Sequence, residues 1–447
     1  MKRFFITHPV DFELYAILSL QMIHDDTQLE NIVPYISRSG RDIIDMRSKQ
    51  VCQFAENVIE LTGNSGKILV VSRSAFNSLT KGQITTITGI DPLTKKTRVL
   101  LLKLNKALLM IIVRPVEIAD IDHLMEIALA ASPGMTTLPP DRQTLERKIL
   151  LSSKSITSEI NEPGSEVYLL VMQDTDTGKL VGTASIIAKL GIDDQFYSYK
   201  LNKQTQYSRQ INKKVTVETL HLTNHFEGFA EVATLYLTDA YRKNGNGKLL
   251  ARSRYLFMAE FRERFPDKVM ADLRGYFDEN GRSPFWEALG RHFFDMSYSE
   301  ADLYGALNGN QFIADLMPKH PIYVNLLPME AREVIGRPND QGKPAMAMLE
   351  NEGFRNNGQV DIFDGAPSVD AHIDDLNTIQ SSKKARVSGT IGLKDDHEYL
   401  VCAGNISSYR VCISRLVIET DGSVLMPQTT LDALKIGVHD LIRYSTL

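Results

Sequence analysis

Two glycines and an arginine form the strongest chemical signal in this chain, the pattern Arg242-x-x-Gly245-x-Gly247. The pattern falls between a predicted strand over 231–237, rich in Val, Thr and Tyr, and a predicted helix over 247–265. N–H groups at a helix N-terminus lack helical partners, and the helix dipole favours negative charge there. Because glycine has no Cβ, a phosphate can approach the backbone closely. The sequence therefore predicts a turn that binds a diphosphate.

Basic and polar side chains accompany the two glycines in this turn. Arg242 and Lys248 add positive charge, and Asn244 and Asn246 suit a tight turn. A dinucleotide-binding turn would need a third glycine at Gly-x-Gly-x-x-Gly spacing, but Leu250 occupies that position. The remaining alternative is a plain strand-to-helix turn that binds no ligand.

The order of predicted elements around the turn narrows the choice of ligand. The strand over 231–237, the turn and the long helix are followed by a strand over 268–273 and a helix that begins at Pro284. This order, with a turn of the form Arg/Gln-x-x-Gly-x-Gly/Ala, is similar to that of the GNAT superfamily of CoA-dependent N-acyltransferases. The resemblance implies that the diphosphate belongs to coenzyme A.

Length and composition fit a globular chain of several domains. The 447 residues are 43% hydrophobic and 23% charged, with a net charge of −5 and a pI near 6.1. No basic excess supports nucleic acid as the main partner. The three cysteines lack metal-ligand spacing, and no segment resembles a signal peptide or a membrane span. We therefore expect a cytoplasmic protein without a metal site.

The hydrophobic pattern predicts a mixed α/β fold in four segments. Residues 1–109 form an N-terminal extension of unknown role, either a docking domain or the result of a start codon placed upstream of Met110. Residues 110–300 form a first GNAT-like half with the CoA-binding turn, and 301–380 a second half, giving a tandem GNAT-like fold. The tandem fold is predicted from an order of proline, helix, glycine, aromatic residue and strand that occurs twice. A common helix-to-strand stop signal used twice would produce the same order. The strand-rich residues 381–447 form a small C-terminal β subdomain.

Local patterns predict further elements outside the turn. Residues 41–61 are predicted to form a helix, and the polar residues 200–214 a loop or an irregular helix. Strands are predicted over 167–172 and 180–188, joined as a hairpin by a polar turn that contains a glycine.

From residue 111 onward, the chain resembles the arginine N-succinyltransferase family. Separate blocks match in the same order as far as the C-terminal third of the chain. These blocks are Arg114-Pro115, Thr136-Thr137-Leu138-Pro139, Glu231-x-x-Thr234-Leu235-x-Leu237, Arg242-Lys243-x-Gly245-Asn246-Gly247, Ser253-Arg254, Ser283-Pro284-Phe285-Trp286, Met317-Pro318-Lys319-His320-Pro321-Ile322-Tyr323, Val334-Ile335-Gly336, Glu352-Gly353-Phe354 and Asp361-Ile362-Phe363-Asp364-Gly365.

This resemblance implies an activity and a CoA-binding position. Members transfer a succinyl group from succinyl-CoA to the α-amine of arginine, and some also use ornithine, as the first step of arginine catabolism to glutamate. The family's succinyl-CoA position falls on Leu235, where a backbone N–H could stabilise the developing oxyanion. The Leu235 side chain itself is predicted to be a buried strand residue. We also expect a homo- or hetero-oligomer with a homologous subunit.

The chain departs from the family at the histidine that acts as proton donor. The ungapped alignment places Asn339 there, and an amide cannot carry a proton near neutral pH. His320 is the first alternative acid or base, with loop ordering as its competing role. Asn224, between His221 and His225, is a candidate for lining the acceptor pocket, and a surface-loop role competes with that one.

The predicted mechanism is direct transfer, in which the free α-amine attacks the thioester within a ternary complex. Glu231 could hold the guanidinium of arginine as a bidentate partner, and a structural salt bridge explains it equally well. No metal or permanently bound cofactor is required, and no cysteine lies near a motif, which argues against an acyl-cysteine. A second hypothesis, motivated by Asn339, is a catalytically weak CoA-binding subunit that supports an active homologous partner.

Overall fold

The computed structural model describes residues 110–131, 137–392 and 397–447, together with the strands that lie within residues 1–109. The chain divides into two units, Met1–Leu109 and Met110–Leu447. Among the described residues, no helix combines the length and the apolar character needed to cross a membrane.

Strands make up the described part of the N-terminal unit. They are β1 (Arg3–Ile6), β2 (Ser19–Ile23), β3 (Leu29–Ile36), β4 (Ile43–Ile44), β5 (Val51–Cys52), β6 (Val58–Thr62), β7 (Ile68–Ser72), β8 (Ile84–Ile90) and β9 (Thr97–Asn105). Seven form a sheet in the order β1-β3-β2-β9-β8-β7-β6, and β4 pairs with β5. The helix predicted over 41–61 is wrong, because the valines and isoleucines of β4, β5 and β6 favour a pleated strand.

The second unit contains one large mixed sheet. Its described strands are β10 (Ile111–Pro115), β11 (Val167–Asp174), β12 (Leu180–Ile187), β13 (Ser198–Ser208), β14 (Lys213–Thr223), β15 (Ala230–Leu237), β16 (Lys268–Asp272), β17 (Ile322–Tyr323), β18 (Arg355–Val360), β19 (Pro367–His372), β20 (Lys383–Thr390), β21 (Glu398–Ala403), β22 (Arg410–Arg415), β23 (Val417–Ile418), β24 (Val424–Met426) and β25 (Leu441–Thr446). Their order is β17-β14-β13-β18-β19-β16-β15-β12-β11-β10-β22-β21-β25-β20-β24-β23. The strands predicted over 167–172, 180–188, 231–237 and 268–273 are confirmed as β11, β12, β15 and β16.

Helices connect these strands and cover the sheet. They are α1 (Ile121–Ala131), α2 (Arg142–Thr157), α3 (Asn246–Glu260), α4 (Pro284–Ala288), α5 (Arg291–Phe294), α6 (Tyr298–Asn308), α7 (Gln311–Leu316), α8 (Met329–Val334), α9 (Lys343–Glu352), α10 (Asn377–Ser381) and α11 (Gln428–Leu434). Short 3₁₀ turns include Asp239–Tyr241, directly before the glycine turn. The helix predicted at Pro284 is confirmed as α4, with Ser283 Oγ accepting the Trp286 N–H at 3.3 Å.

Helices lie on both faces of the central strands β11, β12 and β15. On one face, α1 and α2 share a core with β11, formed by Leu124, Ile127, Leu145, Ile149, Leu169 and Val171. On the other face, α3 shares a core with all three strands, which includes Leu250, Leu256, Phe257, Leu170, Ile186 and Val232. Because side chains alternate along a strand, each of these strands is buried on both sides near its centre.

The polar segment predicted as a loop or irregular helix over 200–214 is instead a long β-hairpin. β13 and β14 pair without interruption from Ser198↔Thr223 to Ser208↔Lys213. The outer part of the hairpin is exposed on both faces, so its side chains are polar although the backbone is extended. Polarity therefore failed to separate a solvated strand from a loop, and the threonines and valines of β14 were the better signal.

The C-terminal strands continue the same sheet. β22 pairs with β10 through Ile112↔Cys412 and Val113↔Val411, and β21, β25 and β20 follow it outward. α11 packs beneath these strands in a separate small core that contains Val387, Leu431 and Leu434. The domain boundaries predicted within residues 110–447 stay predictions.

Candidate active site

The strand β15 has a parallel neighbour that leaves it early. β16 runs parallel to β15 and pairs only with Ala230 and Glu231 in the described sheet. β15 nevertheless continues to Leu237, still paired with β12 on its other side. The two parallel strands therefore part after Glu231, and the gap opens beside the strand that leads into the glycine turn.

A β-bulge lies in β15 just beyond this parting. The register with β12 shifts there, so that Thr234 and Leu235 together fall opposite Ala184. Thr234 has φ of 53°, a left-handed conformation that costs a β-branched residue about 1–2 kcal/mol. Ser185 Oγ donates to Thr234 Oγ1 at 2.8 Å and helps to hold it. The bulge takes the backbone of Leu235, the predicted CoA-binding position, out of the regular ladder.

The predicted glycine turn joins β15 to α3. Gly245 precedes the helix with φ of 77°, and an added Cβ there would lie 3.3 Å from Ile413 Cδ1. A Cβ on Gly247 would meet no described atom within 4 Å, so open space lies in front of it. No described side chain caps α3, and the N–H groups of its first turn lack a side-chain acceptor. The turn thus presents uncapped N–H groups and the positive end of a helix dipole.

Side chains of the turn itself hold its backbone. Asn246 Nδ2 donates to the Tyr241 carbonyl at 3.1 Å, and Arg242 Nε donates to the Leu237 carbonyl at 3.0 Å. Tyr241 Oη in turn donates to Asp174 Oδ2 at 2.8 Å. Burial and this carboxylate raise the pKa of Tyr241 to about 12. Sequence reasoning missed the Tyr241–Asp174 anchor, since nothing local in the sequence links Asp174 to the turn.

Positive charge surrounds the open side of the turn. Arg242, Lys243 and Lys248 are all exposed. The Arg242 guanidinium pairs with Asp239 at 2.9 Å, but both side chains are mostly in solvent, where such a pair contributes little. The turn therefore keeps an excess of cations that can attract a diphosphate.

Glu231 is buried where the two parallel strands part. It is 9% exposed, and burial raises its pKa to about 7, with Asp361 adding to the rise while Lys148 and Arg254 oppose it. Its carboxylate forms no hydrogen bond or ion pair with any described residue. The structural salt bridge considered as an alternative is thus not formed in this part of the chain. A carboxyl group with this pKa can take up or release a proton near neutral pH.

Three further carboxyl groups gather near Glu231. Asp272 at the end of β16 accepts a hydrogen bond from Ser368, and Asp364 accepts the Gly275 N–H at 2.6 Å. The Phe363 and Asp364 N–H groups donate to Asp361 at 2.7 and 2.8 Å. Burial raises the pKa of each of these aspartates, and repulsion from Asp361 adds to the rise at Asp272 and Asp364. The side of the gap that these three carboxyl groups line therefore favours the binding of a cation.

Two cations approach the same region from different helices. Arg254 of α3 is 2% exposed, and its Nε and Nη1 donate to the carbonyls of Ala251 and Ala233 at 3.1 and 3.4 Å. Lys148 of α2 is half-buried, and burial lowers its pKa while Glu231 opposes that shift. Arg254 was predicted only as part of a family motif, and Lys148 was missed because no motif surrounds it.

Asn339 has a structural role in the loop before α9. Its N–H donates to the Arg274 carbonyl at 3.0 Å, which ties it to the segment after β16. Its Oδ1 accepts the Gly342 N–H at 2.6 Å just before the helix begins. The Asn339 side chain therefore stabilises the loop through its oxygen, and its Nδ2 group can still donate hydrogen bonds.

The other polar candidates lie away from the turn. His320 is exposed and precedes β17, which is six strand positions from β15 in the sheet. Asn224 is exposed and lines a cleft of about 470 Å³ together with Asp315 and Lys319. His221 Nε2 lies 3.0 Å from Thr219 Oγ1 within its own strand. Glu231, Leu235 and the turn follow one another along β15 and its exit, whereas His320 and Asn224 lie beside β17 and β14, at one end of the strand order.

The described cysteines are unsuited to carry an acyl group. Cys402 and Cys412 lie buried in β21 and β22, and burial raises the pKa of each thiol to about 12. Both thiols are therefore protonated and weakly nucleophilic at neutral pH. The side chain of Cys52 lies outside the described residues. Within the described residues, no group of His, Cys, Asp and Glu side chains could hold a metal ion.

Family models match both units of the chain. The model of the arginine N-succinyltransferase beta subunit matches residues 111–378, and that of its C-terminal domain matches residues 383–446. A third model, of eukaryotic N,N dimethylarginine dimethylhydrolase, matches residues 12–98. The first of these matches covers more than half of the chain.

Individual relatives agree with the first match. An arginine N-succinyltransferase of Escherichia coli (strain 55989 / EAEC) is 40% identical over 336 residues, which are 75% of this chain and 97% of the relative. One from Shigella flexneri has the same identity and coverage. The solved arginine/ornithine succinyltransferase subunit AI of Pseudomonas aeruginosa is 33% identical, with a TM-score of 0.68 over 76% of this chain and 99% of that one. The chain therefore belongs to the arginine N-succinyltransferase family.

Proposed function

We propose that this chain transfers the succinyl group of succinyl-CoA to the α-amine of L-arginine, as the first step of arginine catabolism to glutamate. One observation carries the proposal. A strand that bulges and parts from its parallel neighbour leads directly into an uncapped glycine turn, and a buried carboxyl group lies at the parting. Such an arrangement provides a diphosphate site, a gap for an acyl chain and a proton acceptor within one stretch of backbone.

The glycine turn is the proposed binding site for the diphosphate of succinyl-CoA. The N–H groups at the start of α3 would replace the water of the phosphates, and the exposed cations would add attraction. The open space at Gly247 gives a phosphate room to reach the backbone. The residues proposed to contact the cofactor portion are Leu235, Arg242, Lys243, Gly245, Asn246 and Gly247.

The bulge in β15 is the proposed site of thioester activation. Its strained backbone at Thr234 and Leu235 lies between the parting of the strands and the turn. A backbone N–H there would donate to the thioester carbonyl and stabilise the negative charge that develops on its oxygen. The apolar Leu235 side chain is partly buried and packs against the core.

Glu231 is the proposed proton acceptor. The α-ammonium group of the substrate loses a proton to this carboxylate, and the resulting amine attacks the thioester carbon. The carbon–sulfur bond then breaks, the nitrogen gives up its second proton as the amide forms, and the thiolate of CoA takes up that proton. A pKa of about 7 lets Glu231 accept protons at neutral pH, which the amide of Asn339 cannot do. The guanidinium-binding role predicted for Glu231 passes to its acidic neighbours.

Asp272 and Asp361 are the proposed partners of the cationic side chain of the substrate. Both are half-buried beside the gap, so each can be reached by a ligand that enters it. Carboxylates can hold a guanidinium in a bidentate manner, and they also accept hydrogen bonds from an ammonium group. Ornithine is therefore a second proposed acceptor, as in the name of the Pseudomonas relative.

A thiol-release assay of the purified chain tests this proposal. Succinyl-CoA is mixed with arginine and, in parallel, with ornithine, and free CoA thiol is measured over time. We expect release that depends on the amino acid and saturates with it. Background release together with intact CoA binding would reject the active enzyme and favour the second hypothesis, a CoA-binding subunit of an assembly with a homologous partner.

A further inference from the structure

Lys148 has an unusual position for a lysine. It lies in the middle of α2, is half-buried, and forms no hydrogen bond or ion pair with any described residue. Lysine is rarely withdrawn from water unless it is paired, because removing the ammonium group from water is costly. Its exposed neighbour Lys154 on the same helix has full access to solvent. The position of Lys148 therefore calls for an anionic partner in direct contact, and none of the described residues supplies one.

The sheet register places Lys148 and Glu231 on the same side of the sheet. Glu231 of β15 pairs with Ile187 of β12, which pairs with Val167 of β11. Residues directly opposite each other in antiparallel strands share a face. Leu169 and Val171 of β11 share the face of Val167, because side chains alternate along a strand, and they pack against α2. This is therefore the face of the sheet that α2 covers. Both side chains thus border the same space beside the parting strands.

Glu231 and Lys148 influence each other electrostatically without forming an ion pair. Each opposes the effect of burial on the pKa of the other. Two buried opposite charges normally close into direct contact, because that contact offsets part of the desolvation cost. Held apart, they match a ligand that carries an amine for Glu231 and a carboxylate for Lys148.

Arg254 is a poorer candidate for binding that carboxylate. Its Nε and Nη1 already donate to backbone carbonyls, and it belongs to α3 on the other face of the sheet. Arg147 is exposed, and its guanidinium donates to Thr144. Lys148 is therefore the available buried cation among the described residues beside Glu231.

We propose that Lys148 binds a carboxylate of the substrates and makes the enzyme select for it. This inference rests on the proposed function, which offers two sources of the group. One is the α-carboxylate of the amino acid, which neighbours the reacting amine. The other is the distal carboxylate of the succinyl group. Both would place a negative charge beside the Lys148 ammonium while the reacting atoms lie at Glu231 and the bulge.

Two matched substrate pairs test the proposal in Lys148→Gln and Lys148→Arg variants. Agmatine is arginine without its α-carboxylate, and butyryl-CoA replaces the distal carboxylate of succinyl-CoA by a methyl group. For each pair, kcat/KM is compared between the wild-type chain and the variants. We expect Lys148→Gln to reduce the preference for one carboxylated partner by about 30-fold, because a charged hydrogen bond is lost. Lys148→Arg should restore part of it.

The pair whose ratio collapses identifies the carboxylate. A collapse of the arginine-to-agmatine ratio assigns Lys148 to the α-carboxylate, and a collapse of the other ratio assigns it to the succinyl group. An equal loss for both members of both pairs would overturn the proposal, since a purely structural lysine would act in that way. Lys154→Gln, an exposed change on the same helix, should leave both ratios unchanged, and thermal denaturation checks that each variant is folded.

Equilibrium binding separates this inference from the proposed function. Calorimetry with succinyl-CoA, butyryl-CoA, arginine and agmatine needs no turnover. If the wild-type chain binds a carboxylated ligand more tightly than its matched partner and Lys148→Gln does not, the inference stands even without thiol release. If the two proteins bind all four ligands with the same relative affinities, the inference fails although the enzyme is active.

Discussion

Glu231 is the residue on which the proposed chemistry depends. Its burial without a described partner holds its pKa near 7, far above that of a carboxyl group in water. Sequence reasoning predicted Glu231 as a substrate ligand, and its proton affinity followed only from the fold. Asn339, predicted to stand at the family's proton-donor position, accepts a backbone hydrogen bond in its loop. The proposed function therefore assigns proton transfer to Glu231.

The Glu231→Gln variant tests the role as a base. The wild-type kcat/KM should rise with pH through about 7, because the carboxylate must be ionised to accept the proton. The variant should lose this dependence and about 10²-fold or more in kcat, while its affinity for CoA stays unchanged. Steady-state kinetics between pH 5.5 and 8.5 (a range of about three pH units around that pKa) measure both. An unaltered pH profile in the variant would assign the base elsewhere.

The same variant also changes how stability depends on pH. The pKa of Glu231 is raised on folding, from 4.5 to about 7, so the folded state binds its proton more tightly than the unfolded state. Stability that is present below the lower value is then lost as pH rises through the higher one. Glu231→Gln should remove this loss, so above pH 7 the free energy of unfolding of the variant should exceed that of the wild type by up to about 3 kcal/mol. Urea denaturation at about pH 4 and about pH 8, about one pH unit or less outside the range from 4.5 to about 7, provides the measurement.

At the scale of elements, the strand, the turn and the helix act as one unit. β15 supplies the bulge, the turn supplies the glycines, and α3 supplies uncapped N–H groups. Gly245 and Gly247 differ in what they tolerate. Gly245 has a left-handed backbone close to Ile413, so a side chain there would also strain the fold by about 1–2 kcal/mol. Gly247 has ordinary backbone angles and open space, so it is the cleaner probe.

We predict that Gly247→Asp weakens CoA binding by about tenfold or more, since a carboxylate would oppose the diphosphate. Its melting temperature should match that of the wild type, because the added side chain meets no described atom within 4 Å at its Cβ. Gly392→Asp, a change of the same kind at another open glycine, is the matched control and should bind CoA normally. Calorimetric titration with CoA compares the three proteins. Equal affinities would place the diphosphate elsewhere.

At the scale of the whole molecule, the chain consists of two units of different resemblance. The second unit carries the family match, and the predicted family, mixed α/β fold and acyltransferase class are confirmed by it. A different family model matches residues 12–98 of the first unit. The predicted choice between a docking domain and an upstream start codon stays open for residues 1–109.

Removal of residues 1–109 tests how far the second unit is sufficient. The family models match residues 111–378 and 383–446, and the Escherichia coli relative is matched over 97% of its length. We expect a protein of residues 110–447 to fold, to bind CoA and to keep thiol release within about twofold of the full chain. Loss of activity in a folded, CoA-binding fragment would instead give the N-terminal unit a catalytic or docking role.

Features that are local in the chain could be predicted from the amino-acid sequence. The glycine turn, the strand before it, the helix after it and the family were all readable, because each depends on neighbouring residues and their spacing. Local sequence signals gave wrong predictions in two places. The polar, solvent-exposed hairpin of β13 and β14 was predicted as a loop or irregular helix, and residues 41–61, which contain strands, were predicted as a helix.

The composition of the site, by contrast, depends on how distant segments pack in the folded chain. The register of the sheet brings Glu231 beside Asp272 and Asp361, and α2 adds Lys148 from far upstream. The parting of β15 from β16 and the bulge at Thr234 are likewise results of pairing between distant segments. Charge, burial and proton affinity depend on such long-range neighbours, and no local pattern of residues encodes which distant strands will meet.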